Sequence, residues 1–125
     1  MLYDARPGAA DALGARLAQH YPQLVVRTGS NDPAGFDAIV NATPLGMQAG
    51  DPLPFDVDRI APTTFVGEVV MKTEHTPLLQ AAMAKGCPVQ VGTDMLFEQI
   101  PAYLDFFGWP GASADELRQR ARISY

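Results

Sequence analysis

The chain has 125 residues and a mass of 13.4 kDa, room for one domain with one core and too little for two complete ones. With 47% hydrophobic and 18% charged residues it is too apolar for a disordered chain, yet no apolar run approaches the roughly 18 residues that span a bilayer. Nine basic against fourteen acidic side chains give a net charge of −5, which argues against nucleic acid or anionic membrane as primary partners.

Met1–Tyr3 reads as a clipped strand ending at Asp4, and Pro7 stands where a helix's first turn would accept it. Within 8–20, Ala10, Leu13 and Leu17 share one face at spacings of three and four, which predicts an amphipathic helix stopped near Pro22. Leu24–Val26 predicts a strand, followed by turn formers from Thr28 to Pro33. Ala38–Val40 predicts a short buried strand running into Asn41-Ala42-Thr43-Pro44-Leu45-Gly46-Met47.

After a loop with Pro52 and Pro54, Thr64–Val70 predicts the next strand. Thr76 can cap a helix with Pro77 in its first turn and Gly86 at its close, facing the core with Leu79, Ala82 and Met83. Pro88–Val91 predicts a short strand. A helix capped by Thr93 or Asp94 then carries an apolar stripe of Leu96, Ile100, Tyr103, Leu104 and Phe107, with Pro101 inside it as a source of a kink. Ser113-Ala114-Asp115-Glu116 matches a capping box before a short charged helix.

Alternating strands and helices predict an α/β fold with a mostly parallel sheet. Ligands of such sheets bind beyond the carboxyl ends of the strands, which singles out the loops after Tyr3, Val40 and Val91. Asp4 has the chemistry to accept hydrogen bonds from an adenosine ribose, and its charge would repel a 2′-phosphate, favouring NAD over NADP. Alone, such a residue is more often a solvated loop aspartate. Arg6 can stack on adenine or bind a phosphate. In the second loop Asn41 and Thr43 offer short polar side chains, Pro44 stiffens the turn and Gly46 permits a close backbone approach, though a plain tight turn has the same composition. Met95 and Gln99 are four apart and share a helix face; ordinary packing and a surface amide are their bland readings.

An ordered set of segments resembles the shikimate/quinate dehydrogenase family over nearly the whole chain: L-Y-D-A-R-P, N-A-T-P-L-G-M, E-V-V-M-K, T-P-L-L, G-x-x-M-L-x-x-Q and F-F-G-W-P-G. The resemblance is to the C-terminal, nucleotide-binding half. It implies a Rossmann-like, mostly parallel sheet with helices on both faces, and hydride transfer between a nicotinamide cofactor and 3-dehydroshikimate/shikimate or the quinate pair. By position, it implies that Asn41 and Thr43 run beneath the cofactor and that the Val69 backbone lies near the nicotinamide. It implies that the Gly92 carbonyl meets the carboxamide, Met95 packs on the ring and Gln99 bonds the substrate's hydroxyls. Met71 stands where a substrate-contacting tyrosine is expected and cannot donate a hydrogen bond.

Asp4-Ala5-Arg6 replaces the N-R-T of NADP-using members, which again points to NAD. No catalytic residue and no metal ligand is assigned: the family's catalytic lysine and aspartate match nothing in this sequence, so the chain alone is expected to lack turnover. Lys72, Glu74 and His75 read as loop residues, and lone Cys87 as inert. Cys87 precludes an internal disulfide, and the N-terminus lacks signal-peptide features, so a cytoplasmic location is expected.

No G-x-G-x-x-G occurs, so the first strand and its glycine-rich loop are expected to be missing. The open edge would be met by a displaced N-terminus, by direct pairing of the flanking strands, or by another chain, such as a homodimer partner or the missing N-terminal domain. A non-catalytic nucleotide-binding or interaction module is the alternative to the oxidoreductase.

Overall fold

The computed structural model describes residues 1–109 and 111–123, so Pro110 of the F-F-G-W-P-G segment lies outside the described residues. The chain divides into two units, Met1–Asp32 and Pro33–Tyr125.

In the first unit, helix α1 spans Ala9–His20 as its spacing predicts. The residue it buries is Gly14, while Leu13 is 42% exposed and Ala10 and Leu17 are half-buried. The reason is local: a β-carbon at Gly14 would meet the Val26 side chain at 3.2 Å, so the 24–28 segment approaches α1 over its small residue. The two strands predicted here do not form. Met1–Tyr3 and Leu24–Val26 form no ladder, although the Leu2 N–H bonds the Arg27 carbonyl just beyond the second segment at 2.8 Å. A strand needs a row of cross-strand bonds, and β-branched composition does not supply one.

The second unit holds a three-stranded parallel sheet ordered β1 (Ala38–Asn41), β2 (Phe65–Glu68), β3 (Val89–Gln90). The parallel α/β expectation therefore holds, with strands shorter than the apolar runs that mark them. Asn41 ends β1 in register with Glu68, the last residue of β2. Helix α2 (Pro77–Ala84) starts as predicted: Thr76 Oγ1 accepts the Leu79 N–H at 3.3 Å, and Pro77 sits in the first turn. Its buried residues are Leu78, Leu79 and Ala82, and Met83 is 48% exposed. They join Val57, Ile60, Val66 and Cys87 in the core. The expected burial of Met83 is thus corrected to Leu78, because the helix packs on β2, β3 and the Val57–Arg59 turn across a face one step round. Lys85 secures that packing, its Nζ donating to the carbonyls of Val57 (2.9 Å) and Asp58 (2.7 Å).

Helix α3 runs from Gly92 to Phe106 with Val91 as its N-cap and no side-chain cap. Neither Thr93 nor Asp94 caps it, because β3 leads into the helix after one residue and both already lie within its first turn. Phe97 is buried, whereas Leu96, Tyr103 and Phe107 of the predicted stripe are exposed. Helix α4 (Ala114–Arg120) opens with the predicted capping box: the Ser113 Oγ accepts the Glu116 N–H (3.2 Å), and Glu116 Oε2 accepts the Ser113 N–H (3.0 Å). Among the described residues, no helix is long and apolar enough to cross a membrane.

Candidate functional site

Asn41, Thr43, Val69 and Gly92 of the predicted residues lie at or just beyond the carboxyl ends of the strands. Asn41 is 2% exposed, and its side chain organises the turn that follows. Its Oδ1 accepts the Thr43 N–H (3.1 Å) and the Thr43 hydroxyl (2.7 Å). Its Nδ2 donates to the Leu45 carbonyl (3.1 Å), and the Leu45 N–H reaches Thr43 Oγ1 (3.1 Å). Such side-chain-to-backbone bonds two to four residues on are what Asn and Thr do at strand ends. Asp51 closes the outer part of the loop, its Oδ2 accepting the N–H groups of Gly46 (3.0 Å) and Gln48 (2.9 Å).

The same edge continues into the other loops through backbone contacts. The Val69 N–H donates to the Asn41 carbonyl at 3.1 Å, extending the β1–β2 pairing one step past the strand. Val70 is buried, and its carbonyl presses on Gly92 so closely that a β-carbon there would lie 2.1 Å from the Val70 oxygen. Asn41, Val69 and Gly92 are thereby joined in one chain of contacts, with Thr43 held by the Asn41 side chain. Met95 and Gln99, both half-buried, follow one and two turns along α3. Gln99 is already oriented: the Tyr103 hydroxyl donates to its Oε1 at 2.8 Å, leaving the amide NH2 as its donor. Met71 is 45% exposed beyond the strand.

Asp4 and Arg6 belong to the first unit and engage each other. The Arg6 guanidinium and the Arg6 backbone N–H (2.8 Å) both bond the Asp4 carboxylate, holding it below the ordinary carboxylate range. Glu74 and His75 form a solvent-exposed pair at 3.9 Å, as loop residues do. Cys87 is buried in the core.

Two features escaped the sequence reading. Arg118 of α4 bonds Glu98 (2.7 Å) and Asp94 (3.3 Å) on α3 and Asp115 (3.2 Å), with its guanidinium 5.7 Å from the Phe97 ring centroid. Asp94 and Glu98 immediately precede Met95 and Gln99, so α4 braces the helix that bears them. The second is Glu68, 3% exposed at the end of β2, whose Oε2 lies 3.5 Å from Asn41 Nδ2. A charged residue amid Thr64-Phe65-Val66-Gly67-Glu68-Val69-Val70 was the available signal.

The capping box of α4 makes this brace acid-sensitive. The Ser113 N–H, and after it the Ser113 hydroxyl, hold the Glu116 carboxyl below its usual value of 4.5. A carboxyl lowered in the folded state stabilises fully above its unfolded pKa and loses that contribution as pH falls through the folded one. Acidification from about pH 6 to about pH 3 should therefore fray α4 from its N-terminus, followed as a shift of the Ser113 amide resonance, and Glu116→Gln should flatten the titration.

No protein-family model matches the chain. Among curated proteins, it is 33% identical over 127 residues to the shikimate dehydrogenase (NADP(+)) of Streptomyces avermitilis, covering 97% of this chain and 43% of that protein. It is 34% identical over 113 residues to the quinate/shikimate dehydrogenase (NAD(+)) of Corynebacterium efficiens, covering 90% and 39%. Among solved structures it superposes on quinate dehydrogenase from Corynebacterium glutamicum in complex with NAD with a TM-score of 0.83 at 30% identity, covering 94% and 43%. The chain spans less than half the length of these relatives.

Proposed function

We propose that this chain, which belongs to the shikimate/quinate dehydrogenase family, uses the carboxyl edge of its sheet to hold the nicotinamide end of NAD beside a small cyclic polyol carboxylate. The observation that carries the reading is the junction of Asn41, Val69 and Gly92, where backbone contacts alone draw three separate loops to one edge. A parallel sheet offers ligands that edge because its loops and helix starts converge there. The residues fit a flat, partly polar ring. Met95 provides a half-buried thioether for one face, Thr43 a half-buried hydroxyl, and Val69 and Gly92 provide backbone.

Bound there, the nicotinamide supplies hydride. The chain's own part is positioning. Gln99, with its oxygen engaged by Tyr103, offers NH2 to a hydroxyl or carboxylate oxygen of the substrate. Asn41, Thr43 and Gln99 do not exchange protons at neutral pH, and Glu68 is sealed from solvent. The proton for carbonyl reduction must come from a group outside this set. Since the family's catalytic lysine and aspartate match nothing in this sequence, on this reading the 125 residues alone bind without measurable turnover.

Relatives of this chain are named for both NADP(+) and NAD(+). The Asp4 carboxylate favours NAD by repelling a 2′-phosphate, an effect that the Arg6 guanidinium paired with it at 3.2 Å offsets in part. Calorimetric titration should give a tighter Kd for NAD than for NADP, and Asp4→Asn should narrow that ratio by about threefold to tenfold, the size of one screened charge contact. Equal affinities unaffected by Asp4→Asn would refute the cofactor preference, and absence of binding to either would refute the site.

A further inference from the structure

We propose that Glu68 is the positioning residue of the Asn41–Leu45 turn. The proposal rests on the dinucleotide reading only for its functional consequence, since the turn itself is a property of the bare chain. Glu68 is 3% exposed and stands directly across the β1–β2 pairing from Asn41. Its Oε2 is 3.5 Å from Asn41 Nδ2, the atom that also donates to the Leu45 carbonyl. Its Oε1 has no hydrogen-bond partner among the described residues.

A carboxylate in this position is costly. Burial removes water from this polar side chain, and one long hydrogen bond with Oε1 left unpartnered does not replace it. For packing alone an apolar side chain of the same size would serve as well or better. What the acid supplies is a second acceptor for Asn41 Nδ2, beside the Leu45 carbonyl, which reinforces one way round for the amide. With Nδ2 turned toward Glu68 and Leu45, Oδ1 faces the Thr43 N–H and hydroxyl, and the Thr43 Oγ1 lone pair is left for the Leu45 N–H. Rotating the Asn41 amide by half a turn would set oxygen against the Glu68 carboxylate and the Leu45 carbonyl, and nitrogen against the Thr43 N–H. The contacts with Glu68, the Leu45 carbonyl and the Thr43 N–H would then become repulsive or donor-to-donor, while the Thr43 hydroxyl can turn to accept from Nδ2. Glu68 thus adds to the preference that the Leu45 carbonyl and the Thr43 N–H set for the observed rotamer, and its influence reaches Thr43 through Asn41.

The test is amide hydrogen exchange by NMR on the chain without ligand, with Glu68→Gln, Glu68→Ala and Glu68→Met compared with the native protein. Glu68→Gln keeps an acceptor oxygen for Asn41 and should hold the protection of Thr43 and Leu45 within about twofold. Glu68→Ala and Glu68→Met remove it and should lower protection at those two amides about tenfold, with Val66 and Leu79 unchanged. The methionine variant retains the volume, so a loss of folding in the alanine variant leaves the question decidable. NAD titration of the same variants should show affinity falling with Thr43 protection. Native protection at Thr43 and Leu45 in Glu68→Met would overturn the proposal, as would a loss spread evenly over Val66 and Leu79. Failure of the native chain to bind NAD would overturn the dinucleotide reading and leave the exchange result to decide the role of Glu68.

Discussion

Gly92→Ala should lower the unfolding midpoint by about 10–20 °C and weaken NAD binding at least tenfold, because the new β-carbon meets backbone on both counts. It would lie 2.1 Å from the Val70 carbonyl oxygen, 2.7 Å from the Val70 carbonyl carbon and 2.9 Å from that of Val69. No side-chain rotation relieves contacts with main-chain atoms, so either the segment just after β2 or the start of α3 must move by the order of an ångström. Overpacking of this kind costs about 3 kcal/mol or more when backbone must shift. Since Val69 and α3 both belong to the proposed ring-binding edge, the movement that relieves the clash also widens the site. Gly86→Ala is the control. Gly86 has φ +84° and nothing within 4 Å of its missing β-carbon, so it should lose about 1 kcal/mol from conformation alone with native NAD affinity. Equal effects of the two substitutions, read by thermal unfolding and calorimetry, would contradict the close-approach account.

Leu79→Ala separates stability from binding. Leu79 is fully buried among Val57, Ile60, Val66, Leu78, Ala82 and Cys87, and its truncation removes a buried methylene set and leaves a cavity, at about 2–5 kcal/mol. The core lies between α2 and the sheet, and the proposed site lies beyond the ends of the strands. At a temperature where the variant remains folded, its NAD affinity should be native within about twofold, the scatter expected of a site it does not touch. Met83→Ala, one turn along the same helix and 48% exposed, should change stability by no more than about 0.5 kcal/mol. A Leu79→Ala variant with native stability, or one that loses NAD affinity while fully folded, would place the core and the site differently from the description given.

These pairs also mark where sequence reading succeeds. The start of α2 was legible because Thr76, Pro77 and Leu79 settle their hydrogen bonds within four residues. The Ser113–Glu116 box was legible for the same reason. The chain of Asn41, Thr43 and Leu45 is local too, and a strand running into N-A-T-P-L-G marks it. Which face of a helix is buried depends on segments far away in sequence. Leu78 rather than Met83 faces the core because of the Val57–Arg59 turn and β2, and no local spacing encodes that. Leu24–Val26 has strand composition without a ladder. The helical stripe placed Tyr103 and Phe107 inside, yet both are exposed. Tyr103 spends its hydroxyl on Gln99 instead. Glu68 went unread because its contact lies in the neighbouring strand, at Asn41.

The central claim is that the carboxyl edge formed by Asn41, Thr43, Val69 and Gly92, with Met95 on α3, takes the nicotinamide end of the cofactor. Titrating isotopically labelled chain with nicotinamide mononucleotide, which lacks the adenosine half, tests that edge directly. The account predicts saturable shifts of the Thr43, Val69 and Gly92 amides and of the Met95 methyl resonance, with Leu79 in the core unmoved. Shifts confined to other residues, or none at concentrations where NAD itself binds, would contradict it.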